Sequence, residues 1–159
     1  MSETEPEIVA LAGKLEGEIL VHARCETVFA AISDPKQLIE WWGSSDTYRL
    51  DEWIMPLKVG AHWSCHGAGR GGKFSIEGKV LEVKPPRLLS YTWKASWIAM
   101  PEIVFTWRLT PVGRTSTRVQ VTHSGYGDNS AALNDHKMGL PSVLRWLADY
   151  ARNKDMGRT

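Results

Sequence analysis

Histidines are the residues in this sequence that are best suited to acid–base chemistry. His123 and His136 flank a glycine turn, His123-Ser124-Gly125-Tyr126-Gly127, so the two imidazoles can come close together. His123 falls on the apolar face of a predicted strand, where it could act as a general base or orient a ligand. Spacing pairs it with no carboxylate or nucleophile, and a structural role between sheet and helix is favoured. His123 is therefore only a weak catalytic candidate, and His136 is interpreted as a helix-surface or capping residue.

The densest group of metal-binding residue types is His62, Cys65 and His66. If this stretch is a strand, the two histidines share one face at a distance of about 13 Å, because a strand rises ~3.3 Å per residue. One zinc ion cannot span that distance, and Cys65 would point to the other face. The sequence therefore predicts no metal site. Cys25 and Cys65 are interpreted as small buried hydrophobes of a reduced compartment rather than as a disulfide or a nucleophile.

A glycine-rich stretch formally contains the G-x-G-x-x-G pattern of dinucleotide sites, at Gly67, Gly69 and Gly72. Such a site needs a helix immediately afterwards, whose N-terminus meets the phosphates. The residues that follow, from Lys73 to Ile76, are typical of a strand. The stretch is therefore predicted to be a hairpin loop, and no cofactor is predicted.

The aromatic residues indicate a function more strongly than the histidine, cysteine and glycine motifs do. The chain has eight tryptophans, which in a small domain predict either a heavy core or an aromatic wall around a cavity. The apolar loop from Trp97 to Met100 is a candidate rim or lid of such a cavity. From the residues alone, cavity and solid core are equally supported. If there is a cavity, the candidate ligand-binding residues are Trp42, Trp63, Tyr91, Trp93, Phe105, Trp107, His123, Met138 and Leu144.

The elements that must position these residues follow from periodicity. Residues 1–16 are predicted to be an N-terminal tail with a short helix over 8–15, residues 17–153 a single domain, and residues 154–159 a C-terminal tail. A first strand over 18–24 is followed by two short helices, over 25–32 and 36–42. Apolar residues then alternate with period two between short turns, which predicts about six further strands in an antiparallel meander.

The last element is predicted to be a long amphipathic helix. Its apolar residues recur at spacings of three and four, and so share one face. Pro141 lies inside this pattern, where proline removes a hydrogen bond. A kink or break is therefore expected over 138–140, with a shorter helix beginning around 128–130. The residues of the shared face are Leu140, Val143, Leu144, Leu147 and Ala151.

Charge and hydropathy exclude several kinds of partner. The formal net charge is +1 and no run of basic residues exceeds two, so nucleic acid is not expected as a partner. No stretch approaches the ~20 apolar residues of a membrane helix, and the acidic first residues do not resemble a signal peptide. We therefore expect a cytoplasmic protein without membrane insertion. A homodimer is left open.

The order of elements, together with particular residues, resembles the START-like helix-grip superfamily, also called SRPBCC. Within it, the sequence is most similar to the small bacterial proteins named after the activator of heat-shock protein 90 ATPase. The resemblance covers about residues 17–152, with two departures, at Ala61 and Leu140. It is carried by the sequence of residues 25–35, Trp41-Trp42-Gly43, Val59-Gly60-Ala61, residues 78–83 with Pro85-Pro86, residues 89–93, residues 122–126, residues 136–139 and residues 144–150.

This resemblance implies an α+β fold in which an antiparallel sheet of about seven strands curls around the last helix. It also implies a cavity between helix and sheet that takes a small hydrophobic or aromatic molecule, without established catalysis. The alternative is a cyclase or dehydratase type of enzyme that moves a proton in the same cavity. A third reading is a protein-interaction domain that uses the exposed sheet face. The chaperone activity in the family name is not carried over.

Overall fold

Eight antiparallel strands and three helices make up the α+β fold in the computed structural model, which describes residues 5–157. The strands form one open sheet in the order β1-β2-β8-β7-β6-β5-β4-β3, so that β1 and β3 are its edges. None of the helices within 5–157 is long and apolar enough to cross a membrane. The strands are β1 Glu7–Leu11, β2 Lys14–Val21, β3 Tyr48–Ile54, β4 His62–Gly69, β5 Gly72–Lys84, β6 Leu88–Ala95, β7 Ile103–Val112 and β8 Ser116–Ser124, and the helices are α1 Cys25–Ser33, α2 Pro35–Trp41 and α3 Ser130–Met156.

The additional strand is β1, where the sequence predicts a tail. The short helix expected over 8–15 is wrong, because these residues pair with β2 in a hairpin, with Leu11 opposite Lys14. The turn contains Gly13 at a φ of +68°, a conformation that glycine adopts without steric cost. Pairing with β2 decides the structure here, since tertiary contacts override weak local propensity. Residues 1–4 and 158–159 of the two predicted tails lie outside the described residues.

The second short helix, α2, begins at the predicted capping signal. The Asp34 side chain accepts a hydrogen bond of 3.1 Å from the amide of Lys36, and Pro35 occupies the first helical position. The helix ends at Trp41, one residue earlier than predicted. Gly43, at a φ of +121°, then turns the chain back towards β3. This turn places Trp42 against the sheet.

The long helix α3 is continuous through Pro141, so the predicted break is wrong. Proline removes only the hydrogen bond to the carbonyl of Lys137, and Lys137 is exposed, so water can bind that oxygen. The helix begins where predicted, with the Asn129 side chain accepting from the amide of Ala132 at 3.0 Å. Its apolar face is buried as expected.

A glycine lets α3 lie close to the sheet. A Cβ atom at Gly17 of β2 would be 3.0 Å from Leu140 Cδ2 and 3.2 Å from Leu144 Cδ1. At the far end of α3, Asp155 accepts hydrogen bonds from the amide of Arg24 and from the hydroxyl of Thr27, at 3.1 and 2.7 Å. Burial alone would raise the pKa of Asp155, but these hydrogen bonds lower it below its ordinary value. The middle and the C-terminal end of α3 are thus fixed against the rest of the fold.

Candidate functional site

A cavity of about 440 Å³ is bounded by residues of the sheet, by α3 and by Trp42. Its volume lies within the range of small-molecule sites, roughly 300–1,000 Å³. Most of its wall is apolar, formed by Trp42, Leu50, Trp53, Phe74, Ile76, Trp93, Trp97, Phe105, Trp107, Leu140 and Val143. Its polar part consists of Thr47, Tyr48, His123, Asp135 and His136, together with Arg70 and Lys73 of the β4–β5 hairpin.

The aromatic side chains of the wall pack on one another in a continuous series. Trp53 contacts Trp42 with ring centroids 5.3 Å apart, and Trp42 stacks on Trp93 at 5.9 Å. Trp93 stacks on Phe105 at 4.1 Å and an interplanar angle of 6°, and Phe105 stacks on His123 at 3.6 Å. The last pair follows from register, because Phe105 of β7 lies directly opposite His123 of β8. The wall is therefore held in shape by its own packing.

Hydrogen bonds fix the orientation of most indoles in the wall. Four of its five tryptophans donate their N–H, over 2.8 to 3.2 Å, to another side chain. The fifth, Trp53, is buried, and its Nε1 has no partner among residues 5–157. The four pairs are Trp42 with Tyr48, Trp93 with His136, Trp97 with Asp135 and Trp107 with Tyr91.

His136 is buried in the wall, so its interpretation as a surface or capping residue is wrong. It shares the buried face of α3 with Leu133 and Leu140, at spacings of three and four. Its Nδ1 is 2.9 Å from the carbonyl oxygen of Ala132, which can only accept, so Nδ1 carries the proton. Its Nε2 accepts from Trp93 at 3.0 Å. Burial lowers the pKa of His136, and a neutral imidazole with both nitrogens engaged positions Trp93 rather than transferring protons.

His123 is the second buried histidine of the wall. Its Nδ1 shares a hydrogen bond of 3.2 Å with the hydroxyl of Tyr126, while its Nε2 has no partner within 5–157. Burial, and secondarily the neighbouring His136, lower its pKa well below the ordinary value. The imidazole is therefore neutral near pH 7. Its partner is a phenol, and no carboxylate within the described residues contacts it.

The structure brings together five of the nine predicted ligand-binding residues, namely Trp42, Trp93, Phe105, Trp107 and His123, which all line the cavity. Two others form a layer behind the wall. Trp63 stacks on Trp53 at 5.2 Å, and Tyr91 accepts the N–H of Trp107 at 2.9 Å. These two support the lining side chains without bordering the cavity.

The two predicted residues on α3 are not at the cavity. Met138 is 83% exposed, because it lies about half a turn away from the buried His136 and Leu140. Leu144 is buried but packs on Gly17 of β2. The residues of α3 that border the cavity are instead Asp135, His136, Gly139, Leu140 and Val143. Assigning Met138 to the wall was therefore wrong.

Several lining residues were missed by sequence reasoning, and Trp53 is the most informative. Leu50 and Trp53 of β3 both line the cavity although they are three residues apart, which strict alternation forbids. The register of β3 against β4 shifts between Leu50 and Glu52, so an irregularity brings both to one face. Alternation alone could not reveal this.

The edge of the cavity is formed by two loops and α3. Trp97, in the loop between β6 and β7, is 47% exposed and donates to Asp135 of α3 at 2.8 Å. Asn129 donates to the carbonyl of Ala99 at 3.0 Å and so ties the same loop to the start of α3. The glycine-rich stretch forms the predicted hairpin, between β4 and β5, but its loop is shorter than predicted, because Gly67 and Gly69 belong to β4 and Gly72 to β5. Its exposed Arg70 and Lys73 lie at the cavity edge.

Outside the cavity, the residue types that bind metals are dispersed. Within 5–157, no three of them are grouped so as to hold an ion. His62 pairs with Glu77 at 3.0 Å and His66 with Glu52 at 3.2 Å, and all four side chains are exposed. Cys25 and Cys65 are buried free thiols, and burial raises the pKa of Cys65, which disfavours the nucleophilic thiolate.

We predict that the two buried histidines make stability depend on pH. Their folded-state pKa values lie below the ordinary 6.5, so below that pH the unfolded chain binds more protons. The free energy of unfolding should therefore fall between pH 6.5 and 5, by up to about 1.4 kcal/mol per pH unit for each histidine that stays neutral. Urea unfolding at pH 7, 6 and 5 measures this. The variant His123→Leu should reduce the slope of the free energy of unfolding against pH. The control His62→Gln, at an exposed site, should leave that slope unchanged. Equal slopes in the wild type and both variants would contradict the prediction.

The sequence matches the model of the family described as Activator of Hsp90 ATPase homolog 1-like protein over residues 22–152. Among curated proteins, none matches the chain significantly.

Solved structures of bacterial proteins share the fold. A protein from Arthrobacter aurescens superposes with a TM-score of 0.79 at 16% identity, covering 92% of this chain and 91% of that one. A protein from Rhodobacter sphaeroides gives 0.77 at 20% identity, covering 91% and 96%. The AHSA1 protein from Silicibacter pomeroyi gives 0.73 at 24% identity, covering 89% and 99%.

Proposed function

This chain belongs to the Activator of Hsp90 ATPase homolog 1-like family, and on that premise we propose that it binds a small hydrophobic or aromatic molecule in the cavity between sheet and α3. The observation that carries this proposal is the wall itself. Aromatic side chains surround about 440 Å³ that they do not fill. A solid core would close this space, since protein interiors are normally packed to crystal density.

Affinity would come mainly from the transfer of apolar ligand surface out of water, worth roughly 25 cal/mol per Å². Little of that gain would be lost to reorganisation, because the wall is already ordered. Trp93 and Phe105 are stacked at 4.1 Å, and the N–H groups of Trp42, Trp93 and Trp107 are engaged. Such preorganisation reduces the entropic cost of binding.

Neither alternative function has an observation of its own in its favour. An enzyme of the cyclase or dehydratase kind would use His123, but its neighbour is the hydroxyl of Tyr126 and not a carboxylate. For a protein-interaction domain, the outer sheet face offers exposed polar pairs such as His62 with Glu77. Exposed pairs of this kind are common on any surface.

We predict that Gly139→Trp strongly weakens binding of an aromatic probe. Gly139 borders the cavity, and a Cβ atom there would meet nothing within 4 Å. Glycine is also unfavourable inside a helix, so the substitution should not weaken α3. Fluorescence titration with N-phenyl-1-naphthylamine should show at least a tenfold loss of affinity, on the order of the ~1.4 kcal/mol that corresponds to it.

The matched control is Met138→Trp, which adds the same ring to the exposed side of α3, one residue away. It should bind the probe as the wild type does. Binding to folded Gly139→Trp with unchanged affinity would show that the probe lies elsewhere and would contradict the proposed function.

A further inference from the structure

Two buried polar side-chain atoms within 5–157 have no hydrogen-bond partner, and both belong to residues that line the cavity. They are Nε1 of Trp53 and Nε2 of His123. Every other indole N–H of the wall is paired, so the exception at Trp53 is specific. Buried polar groups without partners are rare in proteins, and each costs about 1–3 kcal/mol.

The chemistry of these atoms restricts what could satisfy them. An indole N–H can only donate, so its partner must be an acceptor such as an oxygen atom. Neutral His123 can donate or accept at Nε2, depending on the direction of its bond with Tyr126. Trp53 and His123 lie at the two ends of one series of ring contacts. The apolar aromatic side chains between these two polar residues are Trp42, Trp93 and Phe105.

The edge of the cavity carries positive charge. Arg70 and Lys73 border it from the β4–β5 hairpin, and neither side chain makes an ion pair or hydrogen bond with another residue of the described chain. The acidic residue that borders the cavity is Asp135, whose carboxylate accepts the N–H of Trp97. Both lining histidines are held neutral by burial. The charged groups that border the cavity thus favour an anion.

We propose that the ligand of this cavity is an aromatic organic acid. Its flat apolar body would lie along the tryptophan wall, and an anionic group would lie at the edge near Arg70 and Lys73. Nε1 of Trp53 and Nε2 of His123 are closed to solvent, so oxygen atoms of the ligand would reach them only after a shift of these rings. This inference rests on the proposed function and deepens it, because it names the class of ligand.

The test uses two probes that differ by one anionic group. The anionic probe is 8-anilinonaphthalene-1-sulfonate, and the neutral one is N-phenyl-1-naphthylamine, which has the same rings without the sulfonate. The test variant is the double substitution Arg70→Gln and Lys73→Gln. The charge-matched control is Lys79→Gln with Arg114→Gln, at exposed positions that do not border the cavity.

At low salt, the test variant should bind the anionic probe about fivefold more weakly than the wild type, as expected for two exposed charge interactions. Its affinity for the neutral probe, and both affinities of the control, should stay within about twofold of the wild type. About 0.5 M NaCl should remove the difference, because salt screens exposed charges.

Three results are distinguishable. If Gly139→Trp blocks both probes and the test variant loses only the anionic one, the inference holds. If Gly139→Trp blocks both probes but the test variant binds the anionic one like the wild type, the inference fails while the proposed function stands. If Gly139→Trp blocks neither probe, the proposed function fails and the inference with it.

Discussion

Trp93→Ala should lower the free energy of unfolding by about 3–5 kcal/mol, the usual cost of truncating a large buried aromatic residue. Trp93 stacks on Phe105 at 4.1 Å, contacts Trp42 and Trp63, and is 3% exposed. Alanine would leave a void among these rings. It would also remove the N–H that His136 accepts at 3.0 Å. The same side chain thus supports both the wall and the orientation of His136.

Urea unfolding at pH 7 measures this loss, and Trp97→Ala is the matched control. Trp97 also donates its N–H to an α3 residue, but 47% of it is exposed, so much less apolar surface returns to water. The control should lose about 1 kcal/mol. Equal losses in the two variants would show that the ring series around Trp93 does not hold the wall together.

Gly78→Ala is expected to destabilise the sheet by about 3 kcal/mol or more, at the upper end of overpacking costs. Gly78 lies on β5, where a Cβ atom would overlap the carbonyl oxygen of Thr92 and lie 2.5 Å from its carbonyl carbon. That carbonyl also accepts the N–H of Trp63 at 2.7 Å. The clash is with backbone, so a rotamer change cannot relieve it and β5 and β6 would have to separate.

Gly71→Ala is the control for this second substitution. Gly71 is in the turn between β4 and β5, has no positive φ, and a Cβ atom there would meet nothing within 4 Å. The thermal unfolding midpoint of the Gly71→Ala variant should be unchanged or slightly raised, because alanine reduces the entropy of the unfolded chain. A thermal midpoint for Gly78→Ala within about 1 °C of the wild type would show that the close approach of β5 and β6 has no energetic consequence.

The features that sequence could predict are those with a regular period. The alternation of Ile103, Phe105 and Trp107 predicted β7, and the spacing from Leu140 to Ala151 predicted the buried face of α3. Features that depend on distant partners were not predictable. β1 exists because β2 pairs with it, and α3 tolerates Pro141 because the carbonyl of exposed Lys137 can bind water.

The candidate site shows the same division. Trp42, Trp93, Phe105 and Trp107 follow from residue type and strand face. Trp53 was not predicted as a lining residue, because the register shift after Leu50 interrupts the alternation of β3. The burial of His136 depends on its contact with Trp93 of β6, and the neutral state of His123 depends on its packing against Phe105 of β7 and His136 of α3. Local sequence does not encode those contacts.

The most direct test of ligand binding in this cavity is an indole N–H NMR titration of uniformly ¹⁵N-labelled protein with N-phenyl-1-naphthylamine. Of the eight tryptophans, Trp42, Trp53, Trp93, Trp97 and Trp107 line the cavity, while Trp41, Trp63 and Trp146 do not. Single Trp→Phe variants assign the signals. We predict saturable shifts at the five lining indoles, because an aromatic probe exerts ring-current effects on adjacent protons, and much smaller shifts at Trp41 and Trp146. Shifts confined to Trp41 and Trp146, or no shifts at a saturating probe concentration, would contradict binding in the cavity.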